Sequence, residues 1–231
     1  MFKVFRKENK YLISYYDYLR HRAYFNQILT PDSHNGLFGY HVRSLYFDTP
    51  FDRDFDEKMC EVECRKKIRL RIYTPQDSFA LLELKQKQNL QQQKRSLRMT
   101  RDDAIALIKG NYAILLTYDS DFAKEMYALM QTGCYRPKTI IEYTRQAYIA
   151  KENSIRLTFD QNIRATENNF NLFDPNLCLY PVFSPSYVVF EVKYNGFMLS
   201  YISSVIAKVD QTKVSVSKYC LGRSIGTHYI F

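Results

Sequence analysis

The chain has 231 residues, 46% hydrophobic and 25% charged, with a net charge of +9 at neutral pH. That length suits one domain spanning 1–231 with a core of its own, and no stretch approaches the ~20 apolar residues a membrane-crossing helix needs. The basic excess points to an anionic partner without choosing among nucleic acid, membrane surface and phosphorylated molecule.

Residues 5–13 read as a strand with Arg6, Glu8 and Lys10 on one face. Ser14, with Asp17 three residues on, reads as the N-cap of a helix reaching about Leu29. Pro31, Asp32, Ser33, Asn35 and Gly36 make a loop, and a strand from Tyr40 to Phe47 ends at the turn Asp48-Thr49-Pro50. Over 63–73, Lys67, Arg69 and Arg71 alternate with Ile68, Leu70 and Ile72, the period of a strand with two unlike faces. The pattern repeats over 79–87, where Glu83, Lys85 and Lys87 oppose Leu82 and Leu84, and over 94–99, where Lys94, Ser96 and Arg98 oppose Leu97 and Met99. Thr100 with Asp103 caps a helix to Lys109, and a second helix covers 121–131. Strands return over 138–149 with Tyr143 and Arg145 on one face, over 154–160 with Arg156, Thr158 and Asp160, and over 187–194 with Glu191 and Lys193. A helix near 200–208 and a segment over 215–222 complete an α+β order, mostly strand, with helices outside. The 20 tyrosines and 16 phenylalanines suit such a β-rich chain.

One strand with a charged face is ordinary in an antiparallel sheet wetted on one side. Here at least five strands share the arrangement, and if all their apolar faces pack on helices, the charged faces enclose a common space. The expected architecture is therefore an antiparallel β-barrel forming a charged tunnel, with helices packed outside. Cations crowded together repel one another, so such a site calls for a polyanion, whose phosphate oxygens suit arginine forks. The inward carboxylates Glu8, Glu83 and Glu191 would hold a divalent metal bridging phosphates.

Several segments, in order along nearly the whole chain, carry a family resemblance: R-K-E-N-K-Y from Arg6, S-L-Y-F-D-T from Ser44, K-I-R-L-R-I-Y from Lys67, L-E-L-K from Leu82, Q-K-R-S from Gln93, Y-T-R-Q-A-Y from Tyr143, I-R-L-T-F-D from Ile155, F-E-V-K from Phe190 and S-K-Y-C-L-G from Ser217. The set resembles the catalytic domain of the vacuolar transporter chaperone (VTC) within the triphosphate tunnel metalloenzyme (CYTH-like) superfamily. The resemblance implies a polyphosphate polymerase that uses ATP with Mn²⁺ or Mg²⁺. Position by position it implies Lys10, Arg69, Arg71, Arg145 and Arg156 as catalytic phosphate ligands and Lys85, Lys94, Tyr143, Ser217 and Lys218 as substrate-binding residues. Glu191, with Glu8, would hold the metal. Arg95 competes with Lys94 for its role, but strand parity puts Lys94 on the Arg98 side. Arg6 stands where the superfamily's triphosphatases open with a first glutamate, which favours gripping a chain over hydrolysing a short triphosphate. The chain shows neither the SPX regulatory domain nor the membrane segments of the eukaryotic subunits, and resembles the stand-alone bacterial members. A membrane protein that exports the product is the partner the family's habits imply.

The alternatives on the same scaffold are a metal-dependent tripolyphosphatase or nucleoside triphosphatase, and a non-catalytic polyphosphate-binding module. Nucleic acid is not the expected partner, because the strand cations alternate with aliphatic residues and no helix forms a basic recognition element. There is no P-loop or G-x-G-x-x-G segment, and His21, His34, His41 and His228 form no cluster. Charge begins at Lys3 with no apolar run behind it, so no secretory leader is read. The C-x3-C pair Cys60 and Cys64 has no second pair or nearby histidine to make a zinc site, and with Cys134, Cys178 and Cys220 it reads as reduced thiols of a cytoplasmic protein.

Overall fold

A computed structural model of the chain describes residues 6–88, 91–150, 152–207 and 217–225. In chain order the elements are β1 (Arg6–Ser14), α1 (Tyr15–Ile28), β2 (Thr30–Pro31), β3 (Tyr40–Asp48), α2 (Arg53–Met59), β4 (Cys64–Ile72), β5 (Phe79–Gln88) and β6 (Gln91–Thr100). They continue with α3 (Arg101–Ile108), a 3-10 turn at Tyr112–Thr117, α4 (Asp121–Thr132), β7 (Arg136–Ala150), β8 (Ile155–Thr166), β9 (Tyr180–Pro181), β10 (Tyr187–Asn195), α5 (Ser200–Ala207) and α6 (Lys218–Arg223). The strand order is β1-β10-β8-β7-β3-β4-β5-β6, with the short β2 on β7 and β9 on β8. This is the antiparallel sheet with helices that the alternation predicts, read as an open path whose ends are β1 and β6. The C-terminal part of the expected helix, Lys208, and the start of the last segment, Ser215, lie outside the described residues.

The chain divides into two compact units, one from 1–41, 143–164 and 181–216, the other from 42–142, 165–180 and 217–231. The long strands β7 and β8 contribute residues to both.

In the first unit, α1 starts where the sequence predicts. The Ser14 hydroxyl accepts from the Asp17 amide at 3.0 Å, satisfying a donor that the first helical turn leaves unpaired. Tyr18, His21 and Phe25 fall on one face of α1 and are buried. Phe25 meets Phe159 and Phe190, and those two rings stack 4.8 Å apart. Full burial of one such ring stabilises the fold by about 2–3 kcal/mol. Alternate residues of β1, β8 and β10, among them Tyr11, Ile13, Leu157, Val188 and Val192, complete this core. The residues that alternate with them include Glu8, Lys10, Arg156, Asp160, Glu191 and Lys193.

Gly39, just before β3, has φ +95°, and a Cβ there would lie 2.3 Å from the Arg145 carbonyl oxygen. Only glycine takes both the left-handed backbone and the close approach. Gly39→Ala is expected to cost about 2 kcal/mol or more, read as a lower urea midpoint with an unchanged slope; an unaltered midpoint would show the turn relaxing freely.

In the second unit, Ile68, Leu70, Ile72, Leu82, Leu84 and Met99 form the apolar face of β4, β5 and β6, covered by α3, α4 and the 3-10 turn. The Thr100 hydroxyl caps α3 by accepting from the Asp103 amide at 3.2 Å, as the sequence predicts. The sequence gives no sign of α2, whose only buried side chain is Asp54. Asp48, fully buried at the end of β3, organises it instead: its carboxylate accepts from the amides of Asp54 and Phe55, both at 2.9 Å, and from the Tyr219 hydroxyl at 2.5 Å. A carboxylate from outside thus supplies the cap and the charge that the start of a helix favours. Burial pushes the Asp54 carboxyl up to about 6, against the pull of Lys66 at 3.3 Å.

Candidate functional site

Because β4, β5 and β6 bury one face, the alternate residues must share the other, and the antiparallel registers decide which of them meet. Arg71 lies opposite Ser44 and Leu81, and Leu81 opposite Arg98. The next row is Tyr46, Arg69, Glu83 and Ser96. Beyond it Lys67, Lys85 and Lys94 stand directly across from one another on three neighbouring strands. Like charges so placed destabilise a sheet unless something compensates.

Glu83 is that compensation for part of the face. Its side chain is 2% exposed, takes the Arg69 Nε at 2.6 Å, lies 3.7 Å from the Arg71 Nε and pairs with Lys94. Burial alone would raise its pKa, but the two guanidiniums and the Lys94 ammonium outweigh that and bring it down to about 2. The crowding shows at Lys94, which burial and the neighbouring Arg71 and Arg69 pull below the ordinary lysine value despite Glu83. Tyr46 accepts from Arg69 Nη1 at 3.0 Å, and although burial pushes its hydroxyl up, Arg69 and Arg71 hold it below the ordinary tyrosine value. Lys67 donates to the Ser217 hydroxyl at 2.6 Å, and that hydroxyl also caps α6 by accepting from the Cys220 amide. Tyr219 stacks on Tyr46 with centroids 5.3 Å apart. Lys218, beside Ser217, is the first residue of α6.

The first unit carries a face of mixed sign. Glu8 lies opposite Lys193, and Lys193 opposite Arg156; Lys10 lies opposite Glu191, and Glu191 opposite Thr158. The Lys10 ammonium is 3.0 Å from Glu8 and 3.7 Å from Glu191, which also pairs with Lys193. Burial would lower the Lys10 pKa, but Glu191 and Glu8 raise it above the ordinary lysine value. On β7, Arg145 makes a two-pronged bond to the fully buried Asp160, 2.6 Å from Nε and 2.8 Å from Nη2, and sits 5.2 Å from the centre of the Tyr143 ring. Against the cost of burial, Asp160 drives the Arg145 pKa well up, so it is a permanent cation. Arg156 is held by Asp32 at 2.8 Å and by the Tyr40 hydroxyl at 3.1 Å.

The structure thus gathers Arg69, Arg71, Lys85, Lys94 and Ser217 in the second unit, and Lys10, Glu8, Tyr143, Arg145, Arg156 and Glu191 in the first. Arg95 turns to the opposite face from Lys94 and pairs with Glu125 of α4 at 2.7 Å. The sequence places Glu83 with the metal-holding carboxylates; in the structure its oxygens are engaged by Arg69, Arg71 and Lys94. Asp160 and Asp32, the braces of Arg145 and Arg156, are site residues that the sequence reading misses. An acid sharing a strand face with nearby basics is the signal that could have found Asp160; Asp32 lies in a loop and offers none. The side chain of Arg6 is not among those described.

For a metal, Glu8 and Glu191 offer two carboxylates that reach the same point, the Lys10 ammonium. Among the described residues no cluster of three or more histidines, cysteines or carboxylates is placed to hold one. The donor set fits a divalent ion held by one or two carboxylates and completed by phosphate oxygens, not one caged by protein alone.

Three solved structures share the fold. The "putative adenylate cyclase" of Bacillus halodurans is 11% identical, with a TM-score of 0.53 over 92% of this chain and 95% of that one. The "putative adenylyl cyclase" of Hippeastrum, described as having a dominant triphosphatase activity, is 12% identical, with a TM-score of 0.57 over 94% of each chain. A "putative adenylate cyclase" of Vibrio parahaemolyticus is 12% identical, with a TM-score of 0.50 over 94% of this chain and 97% of that one. Fold and charged strand faces together define an α+β protein built on an antiparallel sheet, of the fold these structures share. No curated protein matches the chain in sequence. The family model of the VTC domain matches residues 5–226, and the chain belongs to that family.

Proposed function

We propose that the chain is a polyphosphate polymerase that transfers the γ-phosphoryl group of ATP to the end of a growing phosphate chain. The observation that carries this reading is the extent of the cationic face in the second unit. Lys67, Arg69 and Arg71 recur at every second position of β4, about 13 Å from first to last, and Lys85 and Lys94 widen the track across two more strands. A short triphosphate needs one cluster of cations; a track suits a chain that must be gripped and advanced.

In the proposed reaction an oxygen of the chain's terminal phosphate bonds to the γ-phosphorus. The bond from that phosphorus to the bridging oxygen breaks, and ADP leaves with the electron pair. No protein nucleophile is required, because phosphoryl transfer depends on positioning and charge neutralisation. Arg69 and Arg71, engaged by Glu83 at Nε, would meet phosphate oxygens through N–H groups that Glu83 and Tyr46 leave over. Arg145, fixed by Asp160, and Arg156, fixed by Asp32, act as preset cations that need not reorganise as charge develops. Lys10 neutralises phosphate charge beside Glu8 and Glu191. Mn²⁺ or Mg²⁺ held there would supply Lewis-acid neutralisation of phosphate oxygens.

The rival on the same residues is a triphosphatase, favoured by the meeting of Glu8 and Glu191 at Lys10. Incubation with ATP and Mn²⁺ distinguishes them. Long chains resolved on a gel, sensitive to an exopolyphosphatase, are expected; orthophosphate without chains assigns the triphosphatase instead. Tight chain binding with ATP unconsumed assigns a binding module.

A further inference from the structure

The turn Gly36-Leu37-Phe38-Gly39 departs from the usual polar chemistry of turns. Leu37 and Phe38, at its centre, are 75% and 72% exposed, and neither belongs to a core. The Gly39 amide closes the turn on the Gly36 carbonyl at 3.2 Å. Its base is fixed to β7, where the Asn35 side chain donates to the Ala147 carbonyl at 2.7 Å and accepts from the Ala147 amide at 3.1 Å, as a neighbouring strand would. From α1, the Arg22 Nη2 donates to the Leu37 carbonyl at 2.8 Å. Two large apolar side chains are therefore held outward by a braced turn with little conformational freedom left to lose on binding.

One cation, Arg22, stands at the base of the tip. Arg22 shares a stripe of α1 with Leu19 and Tyr15, whose exposures are 43% and 45%. Among the described residues Arg22 makes no ion pair. The nearby acids are already engaged, Asp17 by Ser14 and Arg20, and Asp32 by His34 and Arg156.

We propose that this tip docks the protein on an anionic lipid surface, with Leu37 and Phe38 entering the boundary between headgroups and acyl chains and Arg22 meeting lipid phosphates. Charge favours this occupant: the chain carries +9 overall, and among the described residues the arginine at the base of the tip has no carboxylate partner. Size favours it too. Two protruding side chains offer roughly 300 Å², well short of the ~800 Å² per partner of a stable protein interface. A bilayer, in contrast, accepts a small wedge and contributes free energy in proportion to the apolar area buried.

The test sediments the full 231-residue chain with vesicles of phosphatidylcholine alone and of phosphatidylcholine mixed with phosphatidylserine. The protein is expected to pellet with the mixed vesicles, and Leu37→Ser with Phe38→Ser to weaken that partition by about a hundredfold. Arg22→Gln is expected to weaken binding to the mixed vesicles and flatten its salt dependence. Circular dichroism and triphosphate binding of the double variant should match the parent, so lost partition reports the tip rather than the fold. Three results would overturn the proposal: no pelleting; pelleting that the double variant retains and salt abolishes, which is adhesion by basic charge elsewhere; or self-association that the double variant loses, which makes a second copy the occupant.

Discussion

Substitution of Glu83 by glutamine is expected to lower the unfolding free energy by about 3–5 kcal/mol, the range for breaking a buried ion pair from one side. Arg69, Arg71 and Lys94 keep their charges and lose the carboxylate that holds them together. Glu83 also gives the fold a characteristic response to acid. Its folded pKa, about 2, lies below that of an unfolded glutamate, so its contribution is complete above the unfolded value and disappears as the pH falls toward 2. A shift of that size corresponds to roughly 3 kcal/mol. Urea titrations between pH 7 and 2 should show this slope in the parent and its absence in Glu83→Gln. Added triphosphate should restore part of the variant's stability, since an anion can occupy the vacated role. A variant within about 0.5 kcal/mol of the parent at pH 7, with the same acid slope, would mean that Glu83 braces nothing.

The second large effect is expected at Glu191. Glu191→Gln removes one of the two carboxylates that meet at Lys10, and should slow ATP consumption at fixed Mn²⁺ by about a hundredfold. Binding of a long polyphosphate should stay within about twofold of the parent, because the cations of the second unit are untouched. The split between rate and binding is the informative readout. Raising the metal concentration should recover activity if the lost carboxylate served metal affinity. Equal loss of binding and rate would instead make Glu191 a brace for Lys10 and Lys193.

The parts of this protein that are legible in sequence are those fixed by local periodicity and capping. Lys67, Arg69 and Arg71 declare a strand and its two faces because strand side chains alternate, and Ser14 and Thr100 declare helix starts through acceptors three residues from their donors. What periodicity cannot carry is register. Glu83 reads as one more inward carboxylate until β4 and β5 are aligned and it proves to lie opposite Arg69. The contact between Lys67 and Ser217 spans 150 residues, and no local pattern announces it. Helix α2 was invisible for a related reason: it has no apolar stripe, and the carboxylate that starts it, Asp48, belongs to the preceding strand.

Under the proposed function, the in-register lysines Lys67, Lys85 and Lys94 tie the folding equilibrium of this protein to the polyanions dissolved around it. A polyanion that binds the native arrangement and not the unfolded chain adds RT ln(1 + [L]/Kd), about 2.7 kcal/mol at a hundred times Kd. On the proposed function, these residues couple the protein's persistence to the abundance of long phosphate chains. That reading makes the protein less stable and more open to proteolysis where such chains are scarce, and protected by their occupancy where they accumulate.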